Sequence, residues 1–217
     1  MTKNQFNKSL NLSPFDLNDT QVERLNLYLD EMLRWNRRVN LTSITNYEEA
    51  VEKHIIDSLY LLKYLKDCRN IVDMGSGAGL PGIPIAICLP EITITSVDSV
   101  GKKINFQKHM KRMLQLDNFN ALEARVENIT DYLSGQKVDL VTARAFASIG
   151  RLVEYASPLL SCGGVLLAMK GSEGEQEIEE NAPLIEKNGF TCSRVDIYNL
   201  PISLAERKII TFIKNIE

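Results

Sequence analysis

The stretch Ile71-Val72-Asp73-Met74-Gly75-Ser76-Gly77-Ala78-Gly79-Leu80-Pro81-Gly82 decides the fold of this chain. Its first four residues are typical of a buried strand, and the glycines that follow predict a tight turn that opens a helix. Glycine has no Cβ, so at Gly75, Gly77 and Gly79 the backbone can adopt a positive φ and approach a ligand closely. Pro81 suits a helix start, where a missing amide proton costs little. The stretch therefore predicts a binding site for a nucleotide-like ligand.

Two ligand types fit the spacing of this turn. Its second half, Gly77 to Gly82, matches the dinucleotide fingerprint, and Asp98 follows at about the 20-residue spacing of that motif. The glycine run begins one step earlier, however, as Asp-x-Gly-x-Gly-x-Gly from Asp73 to Gly79, the pattern of S-adenosylmethionine sites in Rossmann-like methyltransferases. That ligand carries an ammonium and a sulfonium but no phosphate, so nearby carboxylates are favourable. The pattern favours the methyl donor and leaves a dinucleotide, or a purely structural turn, as alternatives.

Asp98 ends a β-branched stretch, residues 91–98, that predicts a second strand. Because parallel strands bring their carboxyl ends to one edge of a sheet, Asp98 is expected beside the glycine turn. A carboxylate there can accept hydrogen bonds from both ribose hydroxyls. The alternative is that Asp98 caps the following helix, and both roles can hold together.

Strand and helix patterns alternate along the rest of the chain. Further strands are predicted over residues 121–126, 138–144, 164–170, 191–198 and 208–214, and helices over residues 102–116, 149–160 and 175–188. The last two strands have no helix between them and suit an antiparallel edge. We therefore predict an α/β domain over residues 69–217, with a mostly parallel sheet of about seven strands and a ligand crevice at the carboxyl ends.

Residues 1–68 contain no convincing strand. Apolar residues at helical spacing predict helices over residues 17–39 and 47–65, the first capped by Asp19 or Thr20. No Pro/Gly/Ser-rich linker follows them, so this segment is expected to pack on the sheet domain as a helical elaboration.

Composition sets the outer bounds of function. The chain has 217 residues, 44% of them hydrophobic and 24% charged, which is typical of an ordinary globular protein. No apolar run has the roughly 20 residues that a spanning helix needs, and the polar start at residues 1–5 does not resemble a secretory signal, so a cytoplasmic location is the default expectation. The four cysteines are scattered without metal-ligand spacing, and we expect neither disulfides nor a metal site.

The formal net charge of −3 argues against a protein that coats nucleic acid, but the basic residues are clustered. Three groups stand out: Arg34, Arg37 and Arg38; Lys102, Lys103, Lys108, Lys111 and Arg112; and Arg144, Arg151 and Lys170. A solvated helix face is the commoner cause of such clusters. Cations at strand carboxyl ends would nevertheless border the crevice and meet phosphate, which suits a structured RNA bound over a limited surface.

Longer strings of sequence resemble one family closely. They lie at residues 35–44, which read Trp-Asn-Arg-Arg-Val-Asn-Leu-Thr-Ser-Ile, and at residues 54–59, 75–84, 98–103, 125–127, 144–148, 170–171 and 206–208. In this order the strings are similar to those of the bacterial small-subunit ribosomal RNA guanine-N7 methyltransferases, formerly called glucose-inhibited division protein B. The resemblance implies a Rossmann-like class I S-adenosylmethionine-dependent methyltransferase that modifies a guanine of 16S ribosomal RNA.

The resemblance also implies roles for individual residues. Together with Asp73, Gly77, Gly79 and Asp98 from the turn pattern, the expected cofactor-binding residues are Gly75, Leu80, Val126, Glu127 and Arg144. The residues expected to contact the RNA substrate are Lys102, Lys103, Arg144, Lys170 and Arg207. The expected partner is the small ribosomal subunit, and the protein is expected to be a monomer without a metal ion or membrane attachment.

The implied chemistry needs no general base, because N7 of neutral guanine carries an available lone pair. Catalysis would rest on proximity and in-line orientation, with Arg144 as a positioning residue. Other roles are open: Arg144 could instead pair with Asp73 or Glu127, and Phe146 could stack on a base or belong to the core. His54 and Asp57, three residues apart on a predicted helix, could form a catalytic pair or only fix that helix.

Three other functions compete with this interpretation. A nicotinamide-dependent oxidoreductase would use the same glycine turn, and S-adenosylhomocysteine would then fail to raise its melting temperature. A non-catalytic assembly factor would bind ribosomal RNA without turnover. A methyltransferase with a different substrate would keep the donor site alone.

Overall fold

A seven-stranded sheet organises the part of the chain that the computed structural model describes, residues 3–215, with side chains from residue 6 onward. Its strands are β1 (Asn70–Met74), β2 (Thr93–Asp98), β3 (Phe119–Glu123), β4 (Val138–Arg144), β5 (Leu160–Lys170), β6 (Phe190–Asn199) and β7 (Glu206–Lys214). The spatial order is β3-β2-β1-β4-β5-β7-β6, in which β7 runs antiparallel to the other six strands. The predicted mostly parallel sheet with an antiparallel edge is confirmed.

The order of strands reverses between β1 and β4. In open α/β sheets such a switch point, at the carboxyl ends of the strands, is where ligands bind. The helices are α1 (Lys3–Leu10), α2 (Asp19–Val39), α3 (Tyr47–Ala50), α4 (Asp57–Leu59), α5 (Gly82–Cys88), α6 (Gly101–Leu114), α7 (Ile129–Tyr132), α8 (Ile149–Ala156), α9 (Gly174–Glu180) and α10 (Ala182–Lys187). The switch point lies directly after Met74, where the glycine turn begins.

Alternating strand residues divide the core between the two faces of the sheet. Ile71 and Leu140 pack with α1, α2, α5 and α6 on one face, whereas their neighbours Val72 and Val141 pack with α8 and α10 on the other. The period of two is that of β-strands, and burial on both faces explains the near-continuous apolar runs of the central strands.

The N-terminal helices begin and end differently from the prediction. Helix α2 is capped by Asn18, whose Oδ1 accepts from Gln21 N at 2.9 Å while Gln21 Oε1 accepts from Asn18 N at 3.0 Å. The predicted cap at Asp19 or Thr20 is therefore wrong by one or two residues, because this reciprocal capping box satisfies two orphan amides at once. The predicted helix 47–65 is helical over 47–64 but irregular. A π-helical stretch at Val51–Ile56 separates α3 from α4, and a 3₁₀ stretch at Tyr60–Tyr64 follows α4.

The third strand lies two to three residues earlier than predicted. Its sequence neighbour β2 ends at Asp98, which is paired with Glu123, and Ala124 N donates to Asp98 O at 3.2 Å. Beyond that point the sheet offers no further partner, so the chain leaves it for a 3₁₀ turn at Val126–Asn128. Glu127 therefore lies in a turn and does not directly follow the strand.

Residues 1–68 pack on the sheet domain through specific contacts. Tyr28 in α2 donates from its hydroxyl to Ala78 O at 3.0 Å, which joins the N-terminal helices to the glycine turn. Within residues 3–215 no helix combines the length and hydropathy needed to cross a membrane. The division at residues 68 and 69 stays a prediction, and residues 1, 2, 216 and 217 of the predicted ranges lie outside the described part of the chain.

Candidate active site

The glycine turn after β1 has the backbone conformation that its sequence predicts. Gly75, Gly77 and Gly79 have φ values of +66°, +59° and +93°, which side-chain-bearing residues rarely adopt. A Cβ on Gly75 would lie 2.0 Å from Cδ2 of Phe146, so this position also requires the absence of a side chain. A Cβ on Gly77 would meet nothing within 4 Å, and the turn is therefore open to a ligand there.

Several amides of the turn already donate hydrogen bonds within the protein. Gly77 N donates to Asp98 Oδ2 at 2.9 Å, and Gly82 N donates to Asp73 Oδ2 at 2.9 Å. The amides of Gly79 and Leu80 both donate to Ser76 O, at 2.9 Å each. A pyrophosphate would need such amides free, so this geometry favours a ligand without phosphate.

Asp98 accepts two backbone hydrogen bonds, but it does not cap the following helix. Its Oδ1 accepts from Val100 N at 2.8 Å, just before α6, and its Oδ2 accepts from Gly77 N at 2.9 Å. The start of α6 has no side-chain cap, so the predicted capping role is wrong. Lys103 Nζ lies 3.6 Å from Oδ2. Each carboxylate oxygen retains a lone pair, and the side chain lines the crevice described below, so ribose hydroxyls can reach it.

Asp73 and Leu80 lie beneath the turn and do not line the crevice. Asp73 is fully buried, and its Oδ1 has no hydrogen-bond partner among the described residues. Burial raises the pKa of this carboxyl to about 7, although the bond from Gly82 N and the nearby Arg144 favour the charged form. Leu80 belongs to the core. Both residues support the turn that a ligand would touch.

Two supports of the turn were not found from the sequence. Gln107 is fully buried on α6 and donates from Nε2 to Ser76 Oγ at 2.9 Å and to Gly77 O at 2.8 Å. Tyr28 donates to Ala78 O. An amide on the apolar face of α6, between Ile104 and Met110, is the sequence signal that would have identified Gln107.

A crevice of about 740 Å³ opens at the carboxyl ends of β1 to β4, and we name it the Asp98 crevice. Its volume is within the range of small-molecule sites, roughly 300–1,000 Å³. It is lined by Gly75, Asp98, Ser99, Val100, Lys103, Ala124, Arg125, Val126, Glu127, Ala145, Phe146, Ala147, Ser148, Arg151 and Tyr155. At its rim, Tyr155 donates to Glu127 Oε1 at 3.1 Å. The hydrogen bond from its own backbone amide, and next the bond from Tyr155, lower the pKa of the exposed Glu127 carboxyl.

A second crevice of about 750 Å³ lies on the other side of residues 145–148, and we name it the Arg144 crevice. Its lining comes from three regions: Thr42, Ser43, Ile44, Lys53, His54 and Asp57; Arg144, Ala145, Phe146, Ala147 and Ser148; and Met169, Lys170, Gly171, Glu177 and Arg207. Residues 145–148 line both crevices. Ligands bound in the two crevices would therefore meet at this shared wall.

Phe146 forms much of the shared wall. Its ring lies against Gly75, 6.2 Å from the ring of Tyr155 between centroids, and the side chain is 37% exposed. It therefore belongs neither to the core nor to a free stacking platform. Ala145, just before it, has a φ of +49°, the left-handed conformation that L-residues adopt only when their surroundings impose it.

Arg144 is held by the N-terminal segment. Its Nη1 donates to Lys53 O at 2.6 Å and lies 3.3 Å from Asp57 Oδ2. The buried Asp57 also accepts from the Tyr198 hydroxyl at 2.7 Å and lies 4.0 Å from Arg207 Nε. The alternative pairing of Arg144 with Asp73 or Glu127 is thus not formed, and Asp57 is the carboxylate that orients it.

His54 and Asp57 do not form a pair. His54 Nε2 is hydrogen-bonded to Thr42 Oγ1 at 2.9 Å, and its buried Nδ1 has no partner among the described residues. Burial and the neighbouring Arg144 lower the pKa of His54 to about 3. The imidazole is therefore neutral near pH 7 and fixes the segment around Thr42, and no catalytic pair of the predicted kind is present.

The predicted RNA-binding cations occupy different surroundings. Arg207 and Lys170 line the Arg144 crevice, but the Lys170 ammonium already donates to Ala147 O at 2.8 Å and to Glu177 Oε2 at 2.6 Å. Lys103 lines the Asp98 crevice instead, and Lys102 is exposed outside both. Arg144, Lys170 and Arg207 are therefore the three that line one crevice.

Comparisons with known proteins agree with this architecture. The family model of rRNA small subunit methyltransferase G matches residues 21–209. A protein of Syntrophotalea carbinolica named ribosomal RNA small subunit methyltransferase G is 45% identical over 208 residues, which cover 96% of each chain. Among solved structures, NSun6 from Pyrococcus horikoshii has a TM-score of 0.62 at 17% identity, covering 77% of this chain and 55% of that one. TYW2 from M. jannaschii, solved in complex with AdoMet, has a TM-score of 0.54 at 15% identity, covering 72% and 74%.

Proposed function

The chain belongs to the rRNA small subunit methyltransferase G family, and we propose that its two crevices divide the transfer of a methyl group from S-adenosylmethionine to N7 of a guanine in 16S ribosomal RNA. The protein is an S-adenosylmethionine-dependent methyltransferase. We assign the donor to one crevice and the acceptor to the other because both crevices are lined by residues 145–148, so that their ligands would meet at this shared wall.

The Asp98 crevice fits the methyl donor. Asp98 offers acceptor oxygens to the ribose hydroxyls, and the buried Val126 offers an apolar surface to the adenine ring. Gly77, where a Cβ would meet nothing within 4 Å, lets the donor approach the backbone, and the carboxylates of Asp98 and Glu127 suit a ligand of net positive charge. When bound, S-adenosylmethionine supplies a methyl carbon made electrophilic by its sulfonium.

The Arg144 crevice receives the guanine. The base has acceptors at O6 and N7 on one edge, and arginine is the side chain that most often reads that edge. Arg144 is pre-oriented by Lys53 O and Asp57, so its guanidinium loses little freedom when the base binds. We propose that it positions O6 and thereby aims N7 at the shared wall.

The reaction needs alignment more than acid or base chemistry. N7 bonds the methyl carbon as the carbon–sulfur bond breaks, and no proton has to leave the base first. Burial lowers the pKa of His54 to about 3, so this imidazole is a weak proton acceptor, in agreement with a site that has no general base. Holding the two reacting atoms in line supplies effective molarities of roughly 10⁵–10⁸ M. Arg144 is in this sense a positioning residue.

Nucleoside mass spectrometry tests the proposed function. The protein is incubated with S-adenosylmethionine and 30S subunits from a strain that lacks the enzyme, and the 16S RNA is digested. We expect 7-methylguanosine to appear with the wild-type protein and to fall sharply with Arg144→Ala. Donor binding without any gain of 7-methylguanosine would reject the proposed substrate.

Assembly and location complete the proposal. A substrate in the small ribosomal subunit places the enzyme in the cytoplasm. We propose that it acts as a monomer without a metal ion; within the described residues no group of three or more His, Cys, Asp or Glu side chains is placed to hold one. Size-exclusion chromatography with light scattering checks the first point, and activity retained after dialysis against a chelator checks the second.

A further inference from the structure

The arginines at the C-terminal end of α2 line neither the Asp98 crevice nor the Arg144 crevice. Arg34, Arg37 and Arg38 lie in the last two turns of this helix, and all three are exposed. Arg34 is paired with Glu31, whereas Arg37 and Arg38 form no ion pair with any side chain that the structure describes. Cations near a helix C-terminus interact favourably with its dipole. This interaction explains why positively charged residues lie at the end of α2, but it does not explain the grooves beside them.

Two adjoining grooves run beside these arginines. One has a volume of about 800 Å³ and the other about 550 Å³, and both are lined by Arg34 and Arg37. Trp35, Arg38 and Val39 complete the smaller groove. We name the combined surface the Arg37 groove. Its one acidic lining residue within the described chain is Asp30.

The Arg37 groove runs into the Arg144 crevice at Thr42, which lines both. The position of Thr42 is fixed from two sides, because its amide donates to Asn36 Oδ1 at 2.9 Å and its hydroxyl is bonded to His54 Nε2. Ile44 N donates to the same hydroxyl at 3.1 Å. The bend after α2 therefore joins a basic surface to the opening where the acceptor base would enter.

We propose, on the basis of the proposed function, that the Arg37 groove binds the sugar–phosphate backbone of the RNA strand next to the methylated guanine. A strand whose base enters the Arg144 crevice must continue along the surface, and the groove past Thr42 carries the unpaired positive charge. Guanidinium groups bind phosphate bidentately, and such contacts fix register without reading sequence. On a chain of net charge −3, such a local concentration of positive charge attracts RNA to this face.

Trp35 takes no part as a stacking platform. It packs against Phe106 and His109, with ring centroids 5.4 Å and 5.1 Å away. Its role is to anchor the end of α2, so that Arg37 and Arg38 project from a fixed support. The groove thus binds phosphates and not bases, and its contribution should be electrostatic and dependent on salt.

The salt dependence of RNA binding tests the proposal. Binding of unmodified 30S subunits, and separately of naked 16S RNA, is measured between 50 and 300 mM KCl for the wild type and for Arg37→Ala/Arg38→Ala. For single-stranded RNA each lost phosphate contact lowers the slope of log K against log salt by about 0.7, so we expect a decrease of about 1.4 and about 25-fold weaker binding at 0.1 M. The affinity for S-adenosylhomocysteine should not change.

Two matched variants sharpen this test. Lys66→Ala/Lys187→Ala also removes two exposed positive charges, but at residues that precede β1 and β6, on the edge of the sheet opposite the crevices, and it should leave the slope unchanged. Arg37→Lys/Arg38→Lys keeps the charge and should restore most of the slope.

The outcomes separate this inference from the proposed function. An unchanged slope in the double alanine variant overturns the inference, and so does a loss of binding to 30S subunits with unchanged binding to naked 16S RNA, which would indicate an acidic protein partner. A wild-type protein that binds RNA with the expected slope but forms no 7-methylguanosine leaves the groove in place and rejects the proposed function.

Discussion

The Asp98 crevice and the Arg144 crevice share one wall but are built in different ways. The first is assembled from strand ends that follow one another along the chain, and its central carboxylate binds backbone amides at Gly77 and Val100. The second depends on side chains from distant elements, such as Tyr198 and Asp57, which are 141 residues apart. A site made of backbone groups and neighbouring strand ends can be predicted from the sequence, whereas a site made of long-range side-chain pairs cannot.

The largest effect is expected where the two crevices touch. Gly75→Ala would place a Cβ against Phe146 and force a left-handed conformation on alanine. Because a displacement of about 1 Å can cost about 100-fold in rate, we expect methylation to fall by about that factor. Steady-state kinetics with 30S subunits measures the loss.

Gly163→Ala is the control for Gly75→Ala. Gly163 also has a positive φ, +84°, but a Cβ there meets nothing within 4 Å, and the residue lies far from the shared wall at the amino end of β5. We expect backbone strain in Gly163→Ala to lower its free energy of unfolding by about 1–2 kcal/mol, without loss of activity. Equal loss of activity in both variants would contradict the assignment of the wall.

Asp98→Ala should affect the donor side alone. The lost charge-assisted hydrogen bonds would weaken S-adenosylmethionine binding by about 1–3 kcal/mol. Isothermal titration calorimetry measures this directly, and binding of RNA measured in the absence of donor should be unchanged. Unaltered donor affinity would remove Asp98 from the site.

Asp57→Asn should affect the acceptor side alone. With a neutral amide, Arg144 loses its charged partner, and we expect kcat to fall about 10-fold while the donor Kd stays the same. Asp196→Asn is the matched control, because Asp196 also binds a tyrosine hydroxyl and an arginine, Tyr64 and Arg194, but outside both crevices. A weakened donor Kd in Asp57→Asn would show that the two crevices are not separable in this way.

The last expected effect concerns the free energy of unfolding and not the activity, and it arises at the carboxyl beneath the glycine turn. Burial raises the pKa of Asp73 from 3.8 in the unfolded chain to about 7, so the folded state binds the proton more tightly. The free energy of unfolding therefore loses this contribution as the pH rises from about 4 to about 7. Asp73→Asn keeps an acceptor for Gly82 N and should become more stable relative to the wild type over this interval. Urea titrations at several pH values would reveal a constant difference if the shift is absent.

The sequence was sufficient for the parts that depend on local pattern. The glycine turn, Asp98 at the end of β2, and the antiparallel β6–β7 pair are each specified by residues within one element and its neighbour. The errors in extent have local causes as well: β3 stops at Glu123 because β2 ends at Asp98, and α2 starts after Asn18 because Gln21 completes a capping box.

The acceptor side was not predictable in the same way. The partner of Arg144 depends on where the irregular helix over 47–64 packs, which no local pattern encodes. His54 and Asp57 both line the Arg144 crevice, but His54 lies in a π-helical stretch and is hydrogen-bonded to Thr42 and not to Asp57. Phe146 lies on Gly75 only because a glycine leaves room there.

The four residues between the crevices also have a thermodynamic consequence. Any ligand that displaces Phe146 on one side changes the free energy of binding on the other, since both sites include the same atoms. Linkage then requires reciprocity: the factor by which the donor alters the affinity for RNA equals the factor by which RNA alters the affinity for the donor. A single thermodynamic cycle of four dissociation constants would measure that coupling.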